Sequence, residues 1–299
     1  MSSQTTIERA VETSGIGLHT AVPGRVRLTP APPDTGIVFR RVDLDNFEIE
    51  AHGRNVARVS YATSLMKKGV LLSTTEHLLA ALYACGVDNV YVEIDAIEVP
   101  ILDGSSQPFI EMLQEAGIRR LRRRRRYLKV LRPLEISDGD RYIGIYPCDE
   151  FRVHCLVNYT HPMIGRQEIE MVVNRDSFSQ MLARARTFGF VEELEKLRAV
   201  DLIRGGSLEN AIVLTRDGIM NGELRYADEF GRHKTLDLIG DLALIGRPLL
   251  AHVKAHKAGH ALHTQLVARL LADKSLWTHT TATMPRRQPV PANLTAISA

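Results

Sequence analysis

Residues 73–94 read STTEHLLAALYACGVDNVYVEI, and this stretch decides the fold. Leu78, Leu79, Ala81 and Leu82 recur at helical spacing, and Gly86 is a natural stop. Residues 89–94 then read NVYVEI, a buried strand. A further helical stretch over 108–116 ends at Gly117. Upstream, residues 25–29, 36–41 and 47–51 are strand-like. Pro23-Gly24, Pro30, Pro32-Pro33 and Asp34 break them apart. The first half therefore reads as strands, then helix, strand, helix.

The second half repeats this order. Strands are expected at 127–135, 142–147 and 151–159, with Asp138-Gly139-Asp140 as a turn. Helices are expected at 175–185 and, more strongly, at 230–245. A strand at 249–255 and a helix at 260–272 complete the unit. The halves share no evident sequence identity, yet their order of elements predicts an α+β fold of two layered domains.

The chain has 299 residues, 44% hydrophobic and 24% charged, the composition of a globular protein. No run approaches the ~18–20 apolar residues of a spanning helix. The first ten residues lack an apolar core behind a basic start, so no secretory signal is expected. Three unpaired cysteines, Cys85, Cys148 and Cys155, fit a reducing, cytoplasmic setting. The formal charge of +3 is a local matter. Seven arginines sit within 119–126, RRLRRRRR, and elsewhere 35 acidic residues outnumber 31 basic ones. Such a block reads first as a solvated linker between the halves. A nucleic-acid surface is the rival reading, but aromatic interleaving and recognition motifs are lacking.

Chemistry concentrates in the histidines. His233, Asp237 and Asp241 are spaced i, i+4, i+8 and share one stripe of a helix. Alone, that stripe is explained by a solvated polar face. Gly240 in mid-helix costs ~1 kcal/mol against alanine and implies a close approach there. Ser73 and Glu76 fit a capping box, which accounts for Glu76 but leaves His77 unexplained. The spacing of His252, His256 and His260 imitates three ligands on one helix. Strand-like alternation over 249–255 and the break at Gly259 separate them, and only His260 is well placed for chemistry. Histidines with nearby carboxylates are what an open zinc site requires.

Together these motifs resemble the zinc-dependent UDP-3-O-acyl-N-acetylglucosamine deacetylases of lipid A synthesis. The match runs from SGIGLHT (14–20) to about Trp277, through STTEHLLAAL, ILDGSS (101–106), RARTFGF (184–190), EFGRHKTLDLIGD (229–241) and KAGHAL (257–262). The resemblance implies zinc ligands at His77, His233 and Asp237. It implies a general base at Glu76, a catalytic histidine at His260 oriented by Asp241, and a carbonyl-binding Thr187 beside Phe188. Lys234 matches a lysine for the nucleotide-sugar. Ile203, Gly206, Ser207, Ala211 and Val213 fall where an acyl chain would pass, although a packed insert explains them equally well. The implied fold is two α/β sandwiches packed face to face with the site between them. Its parts are an N-terminal domain (1–121), an Arg-rich linker (122–127), and a C-terminal domain (128–280) with a βαβ insert at about 190–215. A flexible tail (281–299) follows. The implied protein is a cytoplasmic, monomeric hydrolase without a membrane span or a specific nucleic-acid partner. A zinc amidohydrolase with another acylated substrate is the alternative. One departure from the family pattern is Ala21, where a glycine is usual after LHT.

Overall fold

A computed structural model describes residues 2–57 and 61–281. The first half contains strands β1 (Ser3–Ile7), β2 (Val11–Ile16), β3 (Pro23–Pro30), β4 (Ile37–Arg41), β5 (Phe47–Glu50), β6 (Leu65–Lys67) and β7 (Val70–Leu72). Helix α1 (Glu76–Ala84), β8 (Val90–Ile94), α2 (Gln107–Ala116) and β9 (Ile118–Arg124) complete it. The second half opens with β10 (Tyr127–Val130), β11 (Leu134–Asp138), β12 (Arg141–Pro147), β13 (Phe151–Asn158), β14 (Arg166–Val172) and α3 (Arg175–Met181). Then come β15 (Phe188–Phe190), α4 (Val191–Ala199), β16 (Ile212–Leu214), α5 (Glu229–Leu242), β17 (Leu249–His256), α6 (His260–Ala272) and β18 (Trp277–Thr280).

The two halves have one topology. The first sheet runs β2-β3-β8-β4-β5, with β8 and β4 parallel and the other pairs antiparallel. The second sheet contains β11-β12-β17-β13-β14, with β17 and β13 parallel and the rest antiparallel. In each half the first strand pairs antiparallel with the last, β1 with β9 and β10 with β18. Period-two burial sets the faces: Phe151, Val153, Cys155 and Val157 of β13 point into the core. On β17, Ala251, Val253 and Ala255 are buried, while His252 and His256 share the other face. The helices cover the inner faces, and α1 packs directly on α5. Among the described residues no helix is long and apolar enough to cross a membrane.

Several expectations change. The arginine run is no tether: through Arg124 it is strand β9, so residues 122–124 of the expected linker belong to the first half. Arg125 and Arg126 alone separate β9 from β10. Most of the run is exposed to solvent, and two members are paired, Arg123 to Asp34 and Arg125 to Asp88, each at 2.8 Å. The expected strand 127–135 is two strands, broken where Pro133 supplies no N–H. The helix expected over 175–185 stops at Met181. The βαβ insert is β15-α4-β16, with its two strands parallel. Apart from Thr281, the tail expected at 281–299 lies outside the described residues.

Candidate active site

The expected solvated face of α5 is buried. His233, Asp237 and Asp241 are 1%, 2% and 0% exposed, because α1 lies against that stripe. Gly240 makes the packing possible: a Cβ there would overlap the backbone of Glu76. The close approach implied by the mid-helix glycine is therefore that of one helix to another, and it carries Glu76 and His77 onto α5.

Glu76 is not spent on a capping box. Thr75 caps α1 without a side-chain bond, and the Ser73 hydroxyl bonds Ser64 instead. Oε2 of Glu76 accepts the Thr63 main-chain N–H at 3.1 Å, and Oε1 lies 3.8 Å from His260 Nε2. Burial raises the Glu76 pKa, with the neighbouring histidines opposing.

His77, His233 and Asp237 converge. Each offers one ligand atom, and these atoms lie within 4.8 Å of one another. His233 Nδ1–H donates to the Ala185 carbonyl at 3.0 Å, leaving Nε2 as a lone pair 3.3 Å from Asp237 Oδ1. The early end of α3 puts that carbonyl in place. His77 Nε2 lies 3.6 Å from the same oxygen. Burial depresses His233 to about 3, against the pull of Asp237 and with help from the Lys234 ammonium, so it is a neutral donor. The Asp237 carboxyl is held well below the usual carboxylate range: burial opposes this, but the Lys234 ammonium beside it outweighs burial. Its Oδ2 accepts Lys234 Nζ at 2.9 Å, while its buried Oδ1 has no hydrogen-bond partner. Two imidazole nitrogens and an orphaned carboxylate oxygen aimed at one point fit a divalent metal of the zinc class.

Asp241 organises the far side. His260 Nδ1 (2.7 Å) and His263 Nδ1 (2.8 Å) both bond its Oδ2. Burial works against a charged His260, but Asp241 prevails and lifts it to about 9. Burial likewise opposes the charge on Asp241, and the two histidines outweigh it, bringing Asp241 down to about 2. A carboxyl pushed up and an imidazole pushed up thus face one cavity of about 150 Å³. Thr187, Phe188 and Lys234 also line it, with the Lys234 ammonium 5.5 Å from the Phe188 ring. Thr187 is held by backbone bonds to Gly104 and Ile212.

Ile203, Gly206, Ser207, Ala211 and Val213 do not line this cavity. They belong to the insert, which docks on the first half through Arg204 N–H to His19 O and Gly205 N–H to Leu18 O. Gly205 lies tight against the first half: a Cβ on it would overlap the Gly17 carbonyl. Sequence reasoning missed four residues at the site. His19 lines the cavity, and both its ring nitrogens are buried without a partner. Glu98 is buried and accepts from His19 N–H, Thr20 and Thr74, fixing the loop beside α1. Thr63 and His263 contact Asp241. His19 sat inside the SGIGLHT motif and His263 beside KAGHAL; Thr63 and Glu98 carried no signal of spacing.

The family model for UDP-3-O-acyl N-acetylglycosamine deacetylase matches residues 4–272. A protein of Solibacter usitatus named UDP-3-O-acyl-N-acetylglucosamine deacetylase is 55% identical over 278 residues, covering 93% of this chain and 94% of its own. Similar proteins of the same name come from Anaeromyxobacter, at 43% over 98% of this chain and 97% of the relative, and Idiomarina loihiensis, at 42% over 99% and 100%. With a match that spans both halves and every element contributing to the cavity, the chain belongs to the UDP-3-O-acyl N-acetylglycosamine deacetylase family.

Proposed function

We propose that the chain hydrolyses the N-acetyl amide of UDP-3-O-acyl-N-acetylglucosamine, releasing acetate and the free amine for lipid A synthesis. The observation that carries this reading is the convergence of His77, His233 and Asp237 on one point, flanked by Glu76 and His260. A zinc ion is the cofactor these donors suit, with His77 Nε2, His233 Nε2 and Asp237 Oδ1 as its ligands. When bound, such an ion polarises the amide carbonyl and lowers the pKa of a water.

The chain's own groups do the rest. Glu76, buried and raised in pKa, accepts the proton of the attacking water. The Thr187 hydroxyl donates to the oxygen on which negative charge develops. His260, kept protonated by Asp241, stabilises that charge and gives a proton from Nε2 to the departing nitrogen. Lys234 holds Asp237 and supplies positive charge for the diphosphate, and Phe188 walls the sugar site. Ile203, Gly206, Ser207, Ala211 and Val213 border the acyl passage. The enzyme works as a cytoplasmic monomer.

The test is acetate release from the substrate before and after treatment with a chelator. Activity is expected to vanish and to return with zinc. A zinc-loaded, folded protein that releases no acetate at any acyl length would transfer the site to another acylated amide.

A further inference from the structure

Thr63 lies just before β6, fully buried, and every polar group it has is engaged at the site. Its carbonyl accepts the Thr75 N–H at 3.2 Å and the Thr75 hydroxyl at 3.1 Å. Its own N–H donates to Glu76 Oε2 at 3.1 Å. Its hydroxyl donates to Asp241 Oδ1 at 2.5 Å and lies 3.2 Å from His260 Nδ1. One residue of the first half is thus bonded to a carboxylate on α1 and to another on α5.

The arrangement at Asp241 is asymmetric. Both histidines bond Oδ2, and the Thr63 hydroxyl is the donor to Oδ1. Without it, a wholly buried carboxylate would keep one oxygen with no donor and could rotate to share His260 or His263 between its two oxygens. Either rotation moves the His260 ring. Glu76 must take its proton from the water that attacks the carbonyl carbon, and His260 must give its proton to the nitrogen that leaves that carbon, so both act from fixed directions and a small misplacement is expensive in rate.

We infer that Thr63 is a positioning residue, which locks the Glu76 and Asp241 carboxylates, and through Asp241 the His260 ring, into one relative geometry. This rests on the deacetylase reading for its kinetic consequence but not for its geometry. The Glu76 bond comes from the main chain and survives substitution, so side-chain variants isolate the Asp241 limb.

The experiment compares Thr63→Val, nearly isosteric, with Thr63→Ser, which keeps the hydroxyl. In Thr63→Val, kcat should fall about 10- to 100-fold with KM and zinc content near wild type, and Thr63→Ser should recover most of the rate. The low-field proton resonance of the His260 Nδ1–H should move in the valine variant and return in the serine variant. In an Asp241→Asn background the valine change should cost little more, because the two act through one contact. If the valine variant does not fold, Thr63→Ala removes the same hydroxyl without that demand. Unchanged kcat and resonance in the valine or alanine variant would overturn the inference. So would additive losses in the double variant or failure of serine to recover the rate, which would mark Thr63 as mere packing. Wild-type enzyme that releases no acetate would overturn the deacetylase reading instead, and the resonance would still decide the role of Thr63.

Discussion

Glu76 shows how much one buried side chain can depend on its neighbours. It is 3% exposed, anchored by one main-chain N–H, and opposed by a histidine that Asp241 keeps charged. Replacing Glu76 with glutamine preserves its volume and removes its basicity. We expect kcat to drop by about 10²–10⁴-fold, the usual worth of a positioned base, with zinc content unchanged. Acetate release and metal analysis on the same sample check this; a variant that loses its zinc would make Glu76 a ligand. At Ala21 the cost is conformational. Its φ of +57° lies in the left-handed region, which a Cβ disfavours. Ala21→Gly should therefore stabilise the protein by about 0.5–1 kcal/mol, seen as a rise in Tm. An unchanged or lower Tm would mean that the surrounding turn already compensates the strain.

At the scale of elements, the site is made by the crossing of α1 and α5. Neither helix is amphipathic in the ordinary sense, since each is buried nearly all round. α1 is enclosed because α5 covers the side its own half leaves open, and the polar stripes of the two helices then face each other. Gly240 is the contact point. Gly240→Ala should force the helices apart, cost about 1–3 kcal/mol as overpacking does, and lower kcat further than the stability loss explains. Calorimetry together with kinetics at a temperature where the variant is fully folded would show it. Full activity there would mean that the helices slide without disturbing Glu76 and His77.

Across the whole molecule, two copies of one topology are joined so that their helical layers meet, and the site lies at that meeting. The arginine run closes the first copy as β18 closes the second. Its charges lie on a strand edge, where they discourage pairing with another chain. The basic balance of the protein is thus confined to one ribbon. Changing Arg119, Arg120, Arg122 and Arg124 to glutamine turns the formal charge from +3 to about −1. Retention on a polyanion column should fall sharply, with kcat unaltered. A loss of activity with the fold intact would connect the ribbon to catalysis and revive a role for the run beyond solubility.

Hydrophobic period and turn chemistry sufficed for much of this. The helix 260–272 was legible to the residue because Gly259 and Asp273 bound an unbroken apolar pattern. The i, i+4, i+8 stripe on α5 was legible too, since helical geometry alone aligns His233, Asp237 and Asp241. What the stripe faces was not legible. A polar face reads as solvated until another element covers it, and α1 comes from more than 140 residues away in the chain. For the same reason Glu76 looked like a helix cap, Thr63 and Glu98 carried no signal, and the arginine run looked like a tether. Its partner strand β1 lies at the opposite end of the first half. Sequence by itself determined the main helices, about half of the strands, their order and, with the family motifs, the residues to watch. Tertiary structure decided which were buried, because burial depends on what packs across a face, and local periodicity holds no information about that partner.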